Sequence, residues 1–138
     1  MEINGNWTGV IIYGKEYREH ENKELFFDAQ INQKGNNFSG ISTDTAGVGM
    51  NSDKAILNGT INDKQIEFIK QYDSYHYYYK EQIVIDRSRK GPIIQYKGIF
   101  DKGDNCFKGE WLIEMRYKLL FFIPLKYKCK GKWEMKRK

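Results

Sequence analysis

Apolar and polar residues alternate in short runs along most of the chain, and turn-forming clusters separate the runs. In residues 7–17, Trp7, Gly9, Ile11 and Tyr13 fall on one side and polar or mixed residues on the other. A period of two is the mark of a strand with one buried face. The pattern recurs in residues 25–32, 38–44, 55–61, 66–72, 92–100, 106–117 and 125–136. Lys34-Gly35-Asn36-Asn37, Asn62-Asp63-Lys64, Arg87-Ser88-Arg89-Lys90-Gly91 and Asp101-Lys102-Gly103-Asp104-Asn105 read as turns between them. Residues 77–85 alternate poorly but are rich in β-formers and are read as one more strand. Residues 14–23 are the one window with a trace of helical period, and they are too polar to bury much.

Six glycines sit two residues from an apolar or aromatic residue, and therefore on the same face: Gly9, Gly40, Gly59, Gly98, Gly109 and Gly131. Isolated strand glycines mark bends or close backbone approach, and repeated from strand to strand they let a sheet curl. No crossover helix is visible, so the strands are antiparallel. The expected fold is all-β: an antiparallel up-and-down meander closed into an eight- or nine-stranded barrel, which removes the exposed edges of an open meander. The inward face then carries Trp7, Phe38, Leu57, Ile66, Phe68, Tyr72, Tyr96, Phe100, Phe107, Trp111, Ile113, Cys129 and Trp133. A length of 138 residues fits a single domain over 1–138. Apolar residues at 40% can fill one core, and the 13 glycines are spread too evenly to form a linker.

Met1-Glu2-Ile3-Asn4 leads straight into the first run, without the basic and apolar regions of a leader. The longest apolar run, 119–125, is far shorter than the roughly 20 residues of a membrane-spanning helix. A soluble, cytoplasmic protein with no transmembrane segment is the expectation. Cys106 and Cys129 fall on opposite faces and near opposite ends of the last hairpin, so both thiols are expected to be free.

Gly5-Asn6-Trp7 opens the first strand. A Gly-x-Trp at that place resembles the signature of the calycin barrels, the lipocalins and avidins. The resemblance implies that Trp7 closes one end of the barrel. It also implies a basic residue stacked on Trp7 from beyond the last strand; among Lys136, Arg137 and Lys138, Arg137 is the candidate, by cation–π contact. The role implied is that of holding a small apolar ligand inside the barrel. The second lipocalin motif, Thr-Asp-aromatic in type, has no counterpart, because Thr43-Asp44-Thr45 lacks the aromatic.

Four features bear on function. Lys70 shares the inward face of its strand with Ile66, Phe68 and Tyr72. It is a cavity group that takes a carboxylate or other anion, or a rim lysine snorkelling to water, or else the strand has the opposite register. Tyr72, Tyr75, Tyr77, Tyr78 and Tyr79, with His76 among them, form either a lid or partner surface or ordinary half-packed strand residues. The net charge is +5, and the last 13 residues alone carry +6, so the rest sums to −1. Lys126, Lys128, Lys130 and Lys132 form an outward ridge that Lys108, Arg116 and Lys118 flank, with Glu110 and Glu114 interrupting. Aromatics share the glycine face rather than this one, so nucleic acid is not the expected partner and the lysines serve as a solvated, edge-guarding face. Finally, the apolar run 119–125 at a hairpin tip either folds over one end of the barrel as a plug, forms an oligomer contact or dips into a membrane surface, and outward Val10 and Ile12 add to the case for self-association into a homo-oligomer.

Catalysis has little support. His20 and His76 lie in polar segments expected to be exposed, and neither has metal-ligand spacing. No nucleophile triad, phosphate loop or metalloprotease motif is present, and no cofactor is expected. The leading expectation is non-enzymatic binding of a small apolar or amphipathic ligand inside the barrel. The contact candidates are Phe68, Lys70, Tyr72, Tyr96, Trp111 and Trp133. The alternative is a protein–protein interaction module using the barrel exterior, the tyrosine-rich loop and the apolar tip. Cavity volume separates the two.

Overall fold

A computed structural model describes residues 1–80, 82–119 and 123–138, without the side chains of 77–79, 83, 115–119 and 123–127. The strands are β1 Gly5–Tyr13, β2 Glu24–Lys34, β3 Asn37–Gly47, β4 Ala55–Asn62, β5 Gln65–Tyr72, β6 Tyr75–Tyr79, β7 Gln82–Asp86, β8 Ile94–Asp101, β9 Cys106–Leu119 and β10 Ile123–Arg137. Eight of them close an antiparallel barrel in the order β1-β10-β9-β8-β5-β4-β3-β2, and β6-β7 pair as a separate two-stranded sheet. The single strand expected over 77–85 is therefore corrected to a hairpin lying outside the barrel wall between β5 and β8. The first strand stops at Tyr13, where Gly14 passes the Lys130 carbonyl too closely to carry a Cβ. A 3-10 segment, Lys15–His20, follows in the window with helical character, kinked at Arg18.

The alternation maps directly onto burial. Leu25, Phe27, Ala29 and Ile31 of β2 point inward, as do Ile66, Phe68, Lys70 and Tyr72 of β5. Phe100 and Ile113 are half-buried against this core. Neither cysteine is in a disulfide and both are buried, Cys106 beside Asp101 and Lys136 near one end and Cys129 beside Ile113 near the other.

The two ends differ in their connections. At the Trp7 end the strands turn through 35–36, 63–64 and 102–105. At the opposite end the chain makes longer excursions through 14–23, 48–54 and 73–93, the last carrying the β6-β7 hairpin. The β9-β10 pair also extends there, since β8 begins opposite Ile113 and β1 ends opposite Gly131. Residues 120–122 of the apolar run lie outside the described residues, as do the side chains of Tyr77, Tyr78, Tyr79, Arg116, Lys118 and Lys126. Lys128, Lys130 and Lys132 are exposed.

Candidate functional site

The inward glycines decide how much of the barrel is hollow. Gly98 faces Gly109 across β8 and β9, and the Trp133 ring lies in the space between strands. A Cβ on Gly98 would come within 2.7 Å of Trp133 Cζ2. A Cβ on Gly131 would come within 2.6 Å of Trp111 Nε1, and the Phe27 ring covers Gly9 in the same way. Each glycine thus lets a large ring from a neighbouring strand lie flat against the wall. The indole N–H groups find backbone acceptors: Trp133 donates to Lys97 O and Glu110 O at 3.1 Å each, and Trp111 to Ile12 O at 3.3 Å. Phe68 and Tyr96 stack at 4.6 Å with planes 7° apart, and Trp133 meets both edge-on. The middle of the barrel is filled.

The Trp7 end is filled as well. Trp7 packs on Phe107 at 5.6 Å and donates to Ile3 O at 2.9 Å. The Arg137 guanidinium lies 4.6 Å from the Trp7 ring and donates to Asn4 O at 2.6 Å and Glu2 O at 2.9 Å.

The opposite end holds a cavity of about 140 Å³. Ile11, Leu25, Ile94, Ile113 and Trp111 form its apolar wall, and Tyr13, Tyr17, Tyr72 and Tyr96 bring ring faces with polar tips. Val48, Gly49, His20 and His76 complete the lining from the long connections. Both histidines are half-buried, which corrects the expectation that they lie in exposed segments. Tyr13 donates to Val48 O at 2.7 Å and so fastens the 48–54 loop to β1.

A buried polar cluster lies beside the cavity. Lys70 is 1% exposed, so the snorkelling and opposite-register readings are corrected: its side chain is inside the barrel. Its Nζ lies 3.8 Å from Asp44 Oδ1, close enough for charge attraction but too long for a hydrogen bond. It also sits 4.6 Å from the Phe27 ring, 5.0 Å from Tyr72 and 6.0 Å from Tyr96. Asp44 is served by other donors: Tyr72 OH at 2.8 and 2.9 Å and Asn51 N–H at 2.9 Å. A bulge sets Asp44 there. Phe26 pairs with Ala46 and Phe27 with Asp44, which leaves Thr45 as the extra residue.

The cluster continues onto the hairpin. Asn51 Oδ1 accepts from Asp53 N–H at 2.8 Å, which orients the amide so that Nδ2 donates to His76 Nδ1 at 3.0 Å. Neutral His76 then carries its proton on Nε2. His76 meets the Tyr72 ring edge-on at 6.0 Å. The hairpin is also tied down through Ser74, which donates to Asp53 at 2.7 Å.

Burial governs the titration of these groups. It brings Lys70 down to about 8, against the opposing pull of Asp44. It raises Tyr72 and Tyr96 well above the ordinary phenol value, with the Asp44 charge adding to the effect. It raises Tyr17, helped by a contact with Cys129, and lowers His76.

Of the six contact candidates, Tyr72, Tyr96 and Trp111 line the cavity and Lys70 lies next to them behind the wall. Phe68 and Trp133 belong to the filled middle. Sequence reasoning missed Tyr13, Tyr17, Phe27, Asn51 and Asp44. Extending the alternation of β3 from Phe38 through Gly40 and Ser42 would have placed Asp44 inward. Among the described residues, no group of three or more His, Cys, Asp or Glu is placed to hold a metal ion. No described helix is long and apolar enough to cross a membrane.

Comparison with known proteins gives no match to any protein-family model, curated protein or solved structure.

Proposed function

We propose that this barrel binds a small apolar or amphipathic ligand without converting it, in the manner of a calycin-like carrier or sensor. The observation that carries the reading is the aromatic-walled cavity of about 140 Å³ at the end where the long connections gather. That volume matches a single six-membered ring, since a dry apolar cavity of about 150 Å³ accepts benzene. It is well below the roughly 300 Å³ where pockets for drug-sized ligands begin. The ligand is therefore compact, or only its compact end enters. The non-enzymatic part of the proposal is supported by Asp44, whose oxygens are already engaged by Tyr72 and Asn51 rather than held free as a base.

Native mass spectrometry of protein purified from its own host tests the reading. A small non-covalent adduct is expected. A bare mass, together with an unmoved Trp111 indole N–H resonance on titration with toluene, overturns it.

A second reading, a protein-interaction module, is supported by the outer face. Ile41 and Ile56 sit opposite each other on β3 and β4 at 43% and 37% exposure, and Ile69 lies diagonally across on β5. A monomer by light scattering at high concentration would count against its homo-oligomeric form.

A further inference from the structure

The barrel interior at this cavity holds buried hydrogen-bond donors without acceptors. Ser42 Oγ, Lys70 Nζ and the Tyr96 hydroxyl are buried and have no hydrogen-bond partner among the described residues. Each has a hydrogen to donate, and the ammonium has three. The neighbouring acceptors are committed: Asp44 to Tyr72 and Asn51, and Val48 O to Tyr13. Tyr96 lines the cavity, and Lys70 lies behind Tyr72 and Tyr96. The ring faces around Lys70 attract its charge but leave its N–H groups without acceptors. A buried donor left unmatched is costly, more so when it is charged, and a bound acceptor removes that cost.

Resting on the binding reading above, we propose that the ligand is a small carboxylate. Its acidic end is taken by the Tyr96 hydroxyl and the Lys70 ammonium, and its apolar body lies along Ile11, Leu25, Ile94 and Trp111. An ionised carboxylate accepts only, at about four lone-pair sites, and hydrogen bonds to it are roughly twice as strong as neutral ones. An amine end would add donors to a site that already has them in excess. Asp44 offsets the Lys70 charge without occupying its hydrogens, so the ammonium remains available to a second anion.

The groups facing Lys70 are Asp44 of β3, Tyr72 of β5 and Tyr96 of β8, with His76 of β6 beyond Tyr72. Burial moves both phenols up and His76 down, so neither the phenols nor His76 titrate between about pH 7 and 9. Lys70 does, at about 8.

Toluene, benzoate and benzylamine share one ring and differ in the head group, and each is titrated into the full chain by calorimetry at pH 7. Benzoate is expected to bind at least tenfold tighter than toluene, with benzylamine the weakest. Tyr96→Phe deletes only the unmatched hydroxyl, keeps the ring stack, and should reduce the benzoate-over-toluene advantage severalfold. Lys70→Met should abolish the remaining advantage. If that variant does not fold, the wild-type pH profile decides: benzoate affinity holds to about pH 8 and then falls toward tenfold per unit. Equal binding of benzoate and toluene, flat with pH, overturns the carboxylate inference and leaves cavity binding intact. A preference for benzylamine overturns it too. Failure of all three probes removes the binding reading with it.

Discussion

At the Trp7 end of the barrel rings and aliphatic chains fill the space beside the inward glycines, the Trp7 indole N–H has a backbone acceptor, and the strands join by short turns. At the Tyr72 end the same strands carry Ser42, Asp44 and Lys70 inward, long connections replace turns, and a cavity of about 140 Å³ remains. β3 and β5 show the change within single strands: Phe38 gives way to Ser42 and Asp44, and Ile66 and Phe68 to Lys70. One half of the molecule holds the barrel shut, and the other carries unmatched polar groups that a packed core would not need. On the proposed binding reading the ligand sits at the Tyr72 end, and this contrast between the ends can be broken experimentally from either side.

The largest effect is expected in the filled middle. Trp133→Ala removes a fully buried ring that packs on Phe68 and Tyr96 and covers Gly98. Truncations of this kind cost about 3–5 kcal/mol. The urea midpoint should fall accordingly, or the chain should fail to fold. A loss below about 1 kcal/mol would mean that the middle collapses around the vacancy and is not the rigid partition described.

The fold was legible because alternation and repeated glycines both report on strand faces, and they agreed. The β6-β7 hairpin escaped because its turn carries none of the usual residues. Lys80 takes a φ of 50° there, in a conformation that glycine or asparagine would have signalled. In the site, Lys70 could be placed inward from Ile66, Phe68 and Tyr72 alone. Its meeting with Asp44 could not, because alternation gives the face of a residue and not its level along the barrel. Through the ladder, Lys70 lies opposite Leu57 and Leu57 opposite Gly40, two inward positions short of Asp44. His76 reaches the cavity only because the hairpin folds back, which no local pattern encodes.

The next effect tests the open half. Asp44→Asn keeps an acceptor for Tyr72 but leaves the Lys70 ammonium without a counter-charge. Breaking a buried ion pair from one side costs about 3 kcal/mol or more. Denaturant melts at pH 7 should show that loss, and the gap to wild type should narrow at higher pH, where neutral Lys70 needs no anion. A pH-independent loss would assign the cost to the Tyr72 and Asn51 hydrogen bonds instead.

Wild-type stability should itself depend on pH in an unusual direction. Lys70 has its pKa brought from the usual 10.5 down to about 8 in the fold. Between those values the unfolded chain holds a proton that the folded chain has released, so raising the pH favours the fold. Tyr72 and Tyr96 act oppositely above about pH 10, where only the unfolded chain loses their protons. Tyr17 acts in the same direction as these phenols, so a net gain of about 1 kcal/mol is expected between pH 8 and about 10. Lys70→Met should flatten it. A midpoint that falls steadily over this window would place the Lys70 charge change elsewhere.

The smallest effect is expected at the closed end's outer seal. Arg137→Ala removes a cation lying on Trp7 and two hydrogen bonds to the Asn4 and Glu2 carbonyls. The guanidinium is exposed, so about 1 kcal/mol is expected. Arg137→Lys should recover only part of it, because a point charge cannot serve both carbonyls while lying flat on the ring. Combined with Asp44→Asn, the losses should add to within about 0.5 kcal/mol, since Trp133, Phe68 and Tyr96 form a packed layer between the two sites. A coupling larger than that would mean the layer transmits strain from one end to the other. The seal at Trp7 would then help set the shape of the cavity, and the two halves would have to be treated as one device.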